Sequence, residues 1–154
     1  ETVAKLEELH QMRESLATSL NGRKAPITEE TFQQVCAPAG KALKSWSETA
    51  GVKAKQVSLK YRNPNHAPTA EEALLLKEFE KDPQRTLIVR TGTPADPSAP
   101  GFQVYRRIRI TKDCLHCHGE RDARPEYIKT KYPKDLAFGF KPGDLRGMFS
   151  VSAP

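Results

Sequence analysis

The run Cys114-Leu115-His116-Cys117-His118 sets two thiols three residues apart and follows the second at once with an imidazole. This C-x-x-C-H spacing is the attachment signature of a c-type haem. One turn of backbone presents both sulfurs to the two vinyl groups of a porphyrin, and the next residue is carried beneath the ring. The motif constrains folding as well as chemistry, because whatever surrounds residues 114–118 must accommodate a planar group of that size. One haem c is expected, covalently held through Cys114 and Cys117, with His118 as the proximal ligand to its iron. His116 is expected to point elsewhere.

Two other uses of C-x-x-C compete. A zinc site would need a second closely spaced Cys or His pair, which the chain lacks, although a mixed site of Cys36, Cys114, Cys117 and a histidine stays open. A thioredoxin-like pair would need a βαβ context, whereas here a strand precedes the motif and a loop and short helix follow it.

The 154 residues, 37% of them hydrophobic, suffice for a domain with a real core. No apolar run approaches the roughly 20 residues of a membrane span. The sequence starts at Glu1, without Met or a signal-like segment, and is read as a mature or trimmed product of an exported precursor. Covalent haem attachment requires export, so a periplasmic or other extracytoplasmic location is expected, with any membrane attachment through a removed anchor. In such a compartment cysteines are usually paired. Two of the three are consumed by the haem, leaving Cys36 for intermolecular pairing, burial as a small hydrophobe, or metal ligation.

The net charge of +6 suits an anionic partner, such as the acidic surface of a redox protein, though part of the excess can neutralise haem propionates. No nucleic-acid-reading motif is present, and nucleic acid is not expected as a partner.

Val3, Leu6, Leu9, Leu16 and Leu20 recur at three-and-four spacing and predict an amphipathic helix ended by Asn21-Gly22. Its stripe packs on the domain or serves a homodimer. A second helix is expected after Thr28, through Val35, Cys36, Leu43 and Trp46, kinked or restarted just after the cysteine by Pro38. Gln56 to Tyr61 reads as a strand, followed by the proline-rich loop from Arg62 to Pro68. Thr69 and Glu72 form a capping box for a helix reaching about Lys81. Thr86 to Arg90 and Phe102 to Ile110 read as strands, Pro125 to Lys131 as a short helix and Gly147 to Val151 as a last strand. Arg106 interrupts the apolar side of its strand, so it lies at an edge or pairs with an anion, a haem propionate being one. Arg62 and Arg146 are candidates for the same role. Strands separated by helices without a βαβ repeat predict an α+β domain on an antiparallel sheet.

Four segments together resemble a known family. They are the helical cysteine in Thr31-Phe32-Gln33-Gln34-Val35-Cys36, the loop from Tyr61 to Pro68 with its acidic helix, the C-x-x-C-H run, and the tail from Tyr132 to Gly147. The family is that of exported PAS-like c-haem domains, found alone or as sensory modules of bacterial signalling proteins. The resemblance implies a PAS-like antiparallel sheet flanked by helices over residues 28–154, preceded by an N-terminal helix and linker over residues 1–27. It implies His/Cys axial ligation, with His118 and Cys36 as the metal ligands. It leaves two roles in view, a redox or diatomic-gas (NO or CO) sensor and a small monohaem electron-transfer cytochrome.

A thiolate on iron favours the ferric state, so a low-potential haem follows from that ligand set. The competing sixth ligands are Met12, Met148 and His66. Catalysis would need an open iron position and a proton donor, for which His66 and His116 qualify only by residue type. An enzyme is therefore the less favoured reading.

Overall fold

The computed structural model describes residues 1–154 in full. Helix α1, Thr2–Thr18, is built from good helix formers and buries Leu6 and Leu9, one turn apart. Helix α2, Glu29–Val35, starts on a reciprocal Thr28/Thr31 capping box, with Glu29 and Glu30 complementing its dipole. Cys36 ends α2 and begins α3, Ala37–Ala50, whose first turn carries Pro38. The expected break thus falls at the cysteine, because proline cannot supply the donor that a continuous helix would need there. Gly51 closes α3 in the left-handed conformation, at φ +68°.

Four antiparallel strands follow in the spatial order β1-β4-β3-β2, where β1 is Lys53–Val57, β2 Leu87–Thr91, β3 Phe102–Arg109 and β4 Leu145–Ala153. The α+β expectation holds. In the register, Gln56 and Arg106 both oppose Phe149, and Val104 opposes Val151. Val104, Ile108, Phe149 and Val151 therefore share one face, and they pack with Leu6 and Leu9 of α1 and Leu43 of α3. On the other face Val57, Ile88, Tyr105 and Met148 lie beneath Leu75, Leu76 and Phe79 of α4, Ala70–Lys81. The Thr69/Glu72 capping box starts α4 as expected. Arg107 ends it, donating to the Phe79 carbonyl at 2.6 Å and to the Asp82 and Arg85 carbonyls at 3.3 Å.

One expectation needs correction. The first strand ends at Val57, earlier than the hydrophobic alternation to Tyr61 suggests, because the Ser58 N–H turns to the His66 carbonyl and the Ser58 hydroxyl to the Arg146 carbonyl. Helix α1 supplies Leu6 and Leu9 to the main core. The apolar stripe of α1 is used within the domain. No helix is long and apolar enough to cross a membrane.

Candidate functional site: a cationic thiol and imidazole cleft

The segment after β3 forms a 3-10 turn, Lys112–Cys114, and then α5, Leu115–His118. Thr111 precedes it, its N–H and hydroxyl lying 3.4 and 3.2 Å from the Cys114 sulfur. Cys117 is buried, and His118 faces inward beside it. The His118 Nδ1–H donates to the Ala137 carbonyl at 2.9 Å, which leaves Nε2 as the free lone pair. Burial holds this imidazole well below its ordinary basicity, and the nearby charges of Arg146 and Arg62 act in the same direction, so the ring is neutral. Phe140 stacks edge-on against it at 5.9 Å, and the Lys60 ammonium lies 4.1 Å from the Phe140 ring centre.

The tail is fastened to the motif by a buried ionic group. Arg62 donates to the Cys117 carbonyl at 2.7 Å, the Ala137 carbonyl at 3.0 Å and Asp135 Oδ2 at 3.1 Å. Arg124 reaches the same carboxylate oxygen at 2.7 Å, and the Ala137 N–H donates to the other at 2.8 Å. Burial alone would raise the Asp135 pKa, but the hydrogen bonds from Arg62 and Ala137 outweigh it and hold the group below the usual carboxylate range.

Beside α5 lies a cleft of about 160 Å³ that brings Cys36, Arg13, Arg62, His66, His118 and Arg146 together. Cys36 comes from the α2–α3 break, Arg62 and His66 from the loop after β1, and Arg146 from β4. The neighbouring Cys117 thiol and the charges of Arg13, Arg62 and Arg146 outweigh the burial of the Cys36 thiol and bring it down to about 7. In the same contact Cys117 is pushed upward. Burial, with repulsion from Arg13 and Arg62, pushes the Arg146 guanidinium down to about 9. The buried Nε atoms of Arg62 and Arg146 have no partner. Arg62 has Asp135 as its counter-ion, whereas Arg13 and Arg146 have none, so the cleft carries excess positive charge that favours an anion.

Arg106 does not join this group. It lies between Val104 and Ile108 in the strand's apolar row and pairs with Glu7 of α1 through both Nε and Nη2, while Nη1 donates to the Arg107 carbonyl at 2.6 Å. An acidic residue 99 positions away satisfies it, a partner that reading β3 alone could not supply. Of the rival ligands, Met148 is fully buried beneath α4 and Met12 does not line the cleft. His66 does. His116 faces a separate open cleft formed with residues 23–29, away from His118. No group of three or more His, Cys, Asp or Glu side chains suited to a metal ion is assembled, so the mixed zinc site is not formed.

Sequence reading did not single out Arg13, whose Nη1 donates to Gln56 Oε1 at 3.0 Å, nor the roles of Asp135 and Arg124. Arg13 sits among other charged residues of α1 and carries no local signal. Asp135 lies in a recognisable tail, but its two arginine partners are visible only in three dimensions.

The fold and the cleft define an α+β domain in which one thiol, one neutral imidazole and a set of buried guanidiniums converge at the foot of the sheet. Residues 1–154 match the family model Tll0287-like, and the chain belongs to that family. It is similar to the crystal structure of the cyanobacterial haem protein Tll0287, at 42% sequence identity and a TM-score of 0.87, over 99% of this chain and 92% of that one. No curated protein matches the chain.

Proposed function

We propose that the chain is an extracytoplasmic haem protein of PAS-like fold. Its haem is of the c type, bonded through Cys114 and Cys117, with His118 and Cys36 as axial ligands, and it serves to sense redox state or a diatomic gas. The observation that carries this reading is the convergence in one cleft of the His118 imidazole, the Cys36 thiol and the guanidiniums of Arg13, Arg62 and Arg146. The solved relative, Tll0287, is described as a haem protein, which supports the cofactor. The chemistry of the donor set suits the group. Thiolate and imidazole are both haem ligands, and the guanidiniums match the two propionates.

When bound, the haem supplies one-electron redox chemistry and an iron able to take a diatomic ligand. The residues do the rest. His118 keeps Nε2 available by giving its proton-bearing Nδ1 to Ala137. Arg13, Arg62 and Arg146 favour the thiolate form of Cys36. A Cys36 thiolate would hold the haem iron opposite to the charge-neutral His118 side and would favour its ferric state.

Acid-acetone extraction of the purified protein tests attachment. The colour should stay with the polypeptide, and its mass should exceed that of the apoprotein by one haem. Extraction of the pigment into the solvent would overturn the c-type assignment. Spectra of the dithionite-reduced protein with and without CO test the role. Ready CO binding supports the sensor, whereas an iron inert to CO in the reduced state would make this a small electron carrier.

A further inference from the structure

The tail that packs on α5 carries a cationic surface that neither the core nor the cleft uses. The Gly139 N–H donates to the Gly119 carbonyl at 2.7 Å and the Phe140 N–H to the His118 carbonyl at 3.2 Å, which pins this stretch to the end of the C-x-x-C-H turn. Phe140 is buried there, with its edge on His118. Phe138 is only half-buried, and Leu136 before it is 43% exposed. A pair of apolar side chains partly in water is ordinary by itself. What sets this pair apart is the charge around it.

Three cations surround the Phe138 ring, with Arg124 at 4.9 Å from its centre, Arg121 at 5.7 Å and Lys60 at 6.0 Å. Lys60 also lies 4.1 Å from the centre of the Phe140 ring and donates to the Phe138 carbonyl, so it joins the outer ring to the one that touches His118. An aromatic face attracts each cation, but like charges gathered around one ring repel one another. Asp135 compensates Arg124. Lys60 and Arg121 have no carboxylate at ion-pair distance, although Glu120 and Asp122 flank Arg121 in the sequence. Exposed Lys134 and Lys141 extend the positive charge along the tail. An apolar centre with aromatic and arginine side chains inside a charged rim is the make-up of a protein-docking face. A rim of one sign steers the approach of a partner of the other.

We propose that this face, Leu136 and Phe138 with Lys60, Arg121 and Arg124, docks an acidic protein that carries a one-electron redox centre. The proposal rests on the haem reading above and names the partner through which redox state is exchanged. The partner's reduced centre loses one electron and the ferric iron gains it, and no covalent bond forms or breaks at the face. Position favours this class of partner. A centre seated on Phe138 comes close, through Lys60 and Phe140, to the imidazole proposed to hold the iron. A small anion would gain nothing from the apolar centre, and an anionic membrane would gain nothing from the nearness of His118.

Calorimetric titration of the full chain as isolated with an acidic plant-type ferredoxin tests the face. Binding should be saturable at about 20 mM salt and at least about tenfold weaker at about 200 mM. Lys60→Glu and Arg121→Glu should keep the far-ultraviolet circular dichroism and the visible spectrum, yet each should weaken binding about tenfold. Lys44→Glu and Lys77→Glu change the net charge equally at exposed sites on α3 and α4, and they should leave the affinity within about twofold. In stopped-flow mixing with reduced ferredoxin freed of excess dithionite, haem reduction should slow about tenfold in the first two variants only. Because Arg121 is exposed, its variant keeps the test alive should Lys60→Glu fail to fold. The proposal is overturned if ferredoxin does not bind, or if all four variants lose affinity equally. It is also overturned if the chain binds phosphatidylglycerol vesicles and not ferredoxin, which would make the face a membrane contact. A chain isolated without haem would overturn the haem reading, whereas absent binding with the haem in place overturns only the docking face.

Discussion

The Arg62 guanidinium donates to the Cys117 carbonyl at 2.7 Å and, through the same nitrogen, to the Asp135 carboxylate. Three segments distant in sequence are thereby locked together: the loop after β1, the C-x-x-C-H turn and the tail. The Asp135 side chain is wholly inaccessible. Removing one partner of a buried ion pair leaves the other charge uncompensated, which costs more than the pair contributes. Arg62→Leu should therefore lower unfolding stability by about 3 kcal/mol, partly moderated because Arg124 still holds Asp135 at 2.7 Å. Urea denaturation measures this. A loss no larger than that of a surface arginine would mean that the ionic group does not fasten the tail.

Two histidines outside the proposed ligand pair make the domain acid-sensitive. His10 on α1 is lowered from its ordinary 6.5 by burial and then by Arg106, and its Nδ1 is buried without a partner. His66 is lowered by burial and then by Arg146 and Arg13. Between each folded value and 6.5 the unfolded chain binds more protons than the native one, so stability rises with pH there and is lost as pH falls below 6.5. The urea midpoint should drop between about pH 7.5 and about pH 5.5, and the double variant His10→Gln/His66→Gln should flatten that drop. An equally steep dependence in the double variant would assign it to other groups.

Local signals in the sequence were sufficient for most of the frame. Thr28, Pro38 and the Thr69/Glu72 box mark helix starts through backbone donors that only neighbouring residues can satisfy. The alternation of β3 exposed its two faces. What stayed illegible was partner choice across long separations. Arg62, Arg106, Arg107 and Arg146 look alike as arginines near strands, yet one fastens a tail, one pairs with Glu7, one caps α4 and one lines the cleft. Arg13 entered the site only because α1 crosses the sheet where Gln56 can receive it. The Cys36 position was legible because proline breaks the helix there, but its contact with Cys117 depends on how α5 folds back.

Arg146 and Arg106 provide a matched pair for the propionate reading. Arg146 is 5% exposed and lines the cleft, its Nη1 donates to the Ser58 hydroxyl at 2.6 Å, and its Nε is buried without a partner. Arg106 is engaged with Glu7, whose side chain is 41% exposed. Arg146→Leu should shift the haem midpoint potential downward, since loss of a nearby cation favours the ferric form. Arg106→Leu should leave the potential unchanged and cost about 1 kcal/mol of stability, as expected for a pair with one solvent-screened partner. Spectroelectrochemical titration of both variants measures the difference. Equal shifts, or none in either, would remove Arg146 from the haem environment.

Cys36→Ala tests the proposed sixth ligand. The thiol sits at the helix break, lines the cleft together with His118, and is the one cysteine that the proposed attachment does not use. Without a thiolate to stabilise ferric iron, the midpoint potential should rise, the ferric spectrum should move towards high spin, and cyanide should bind more tightly because nothing competes for the position. Haem attachment through Cys114 and Cys117 should persist, so the colour after acid-acetone extraction controls for loss of the cofactor. His66, which lines the same cleft, is the residue placed to substitute. A low-spin ferric spectrum with a raised potential in Cys36→Ala that disappears in Cys36→Ala/His66→Ala would identify it as the replacement. A low-spin spectrum with an unchanged potential in the single variant would instead make Cys36 a packing residue.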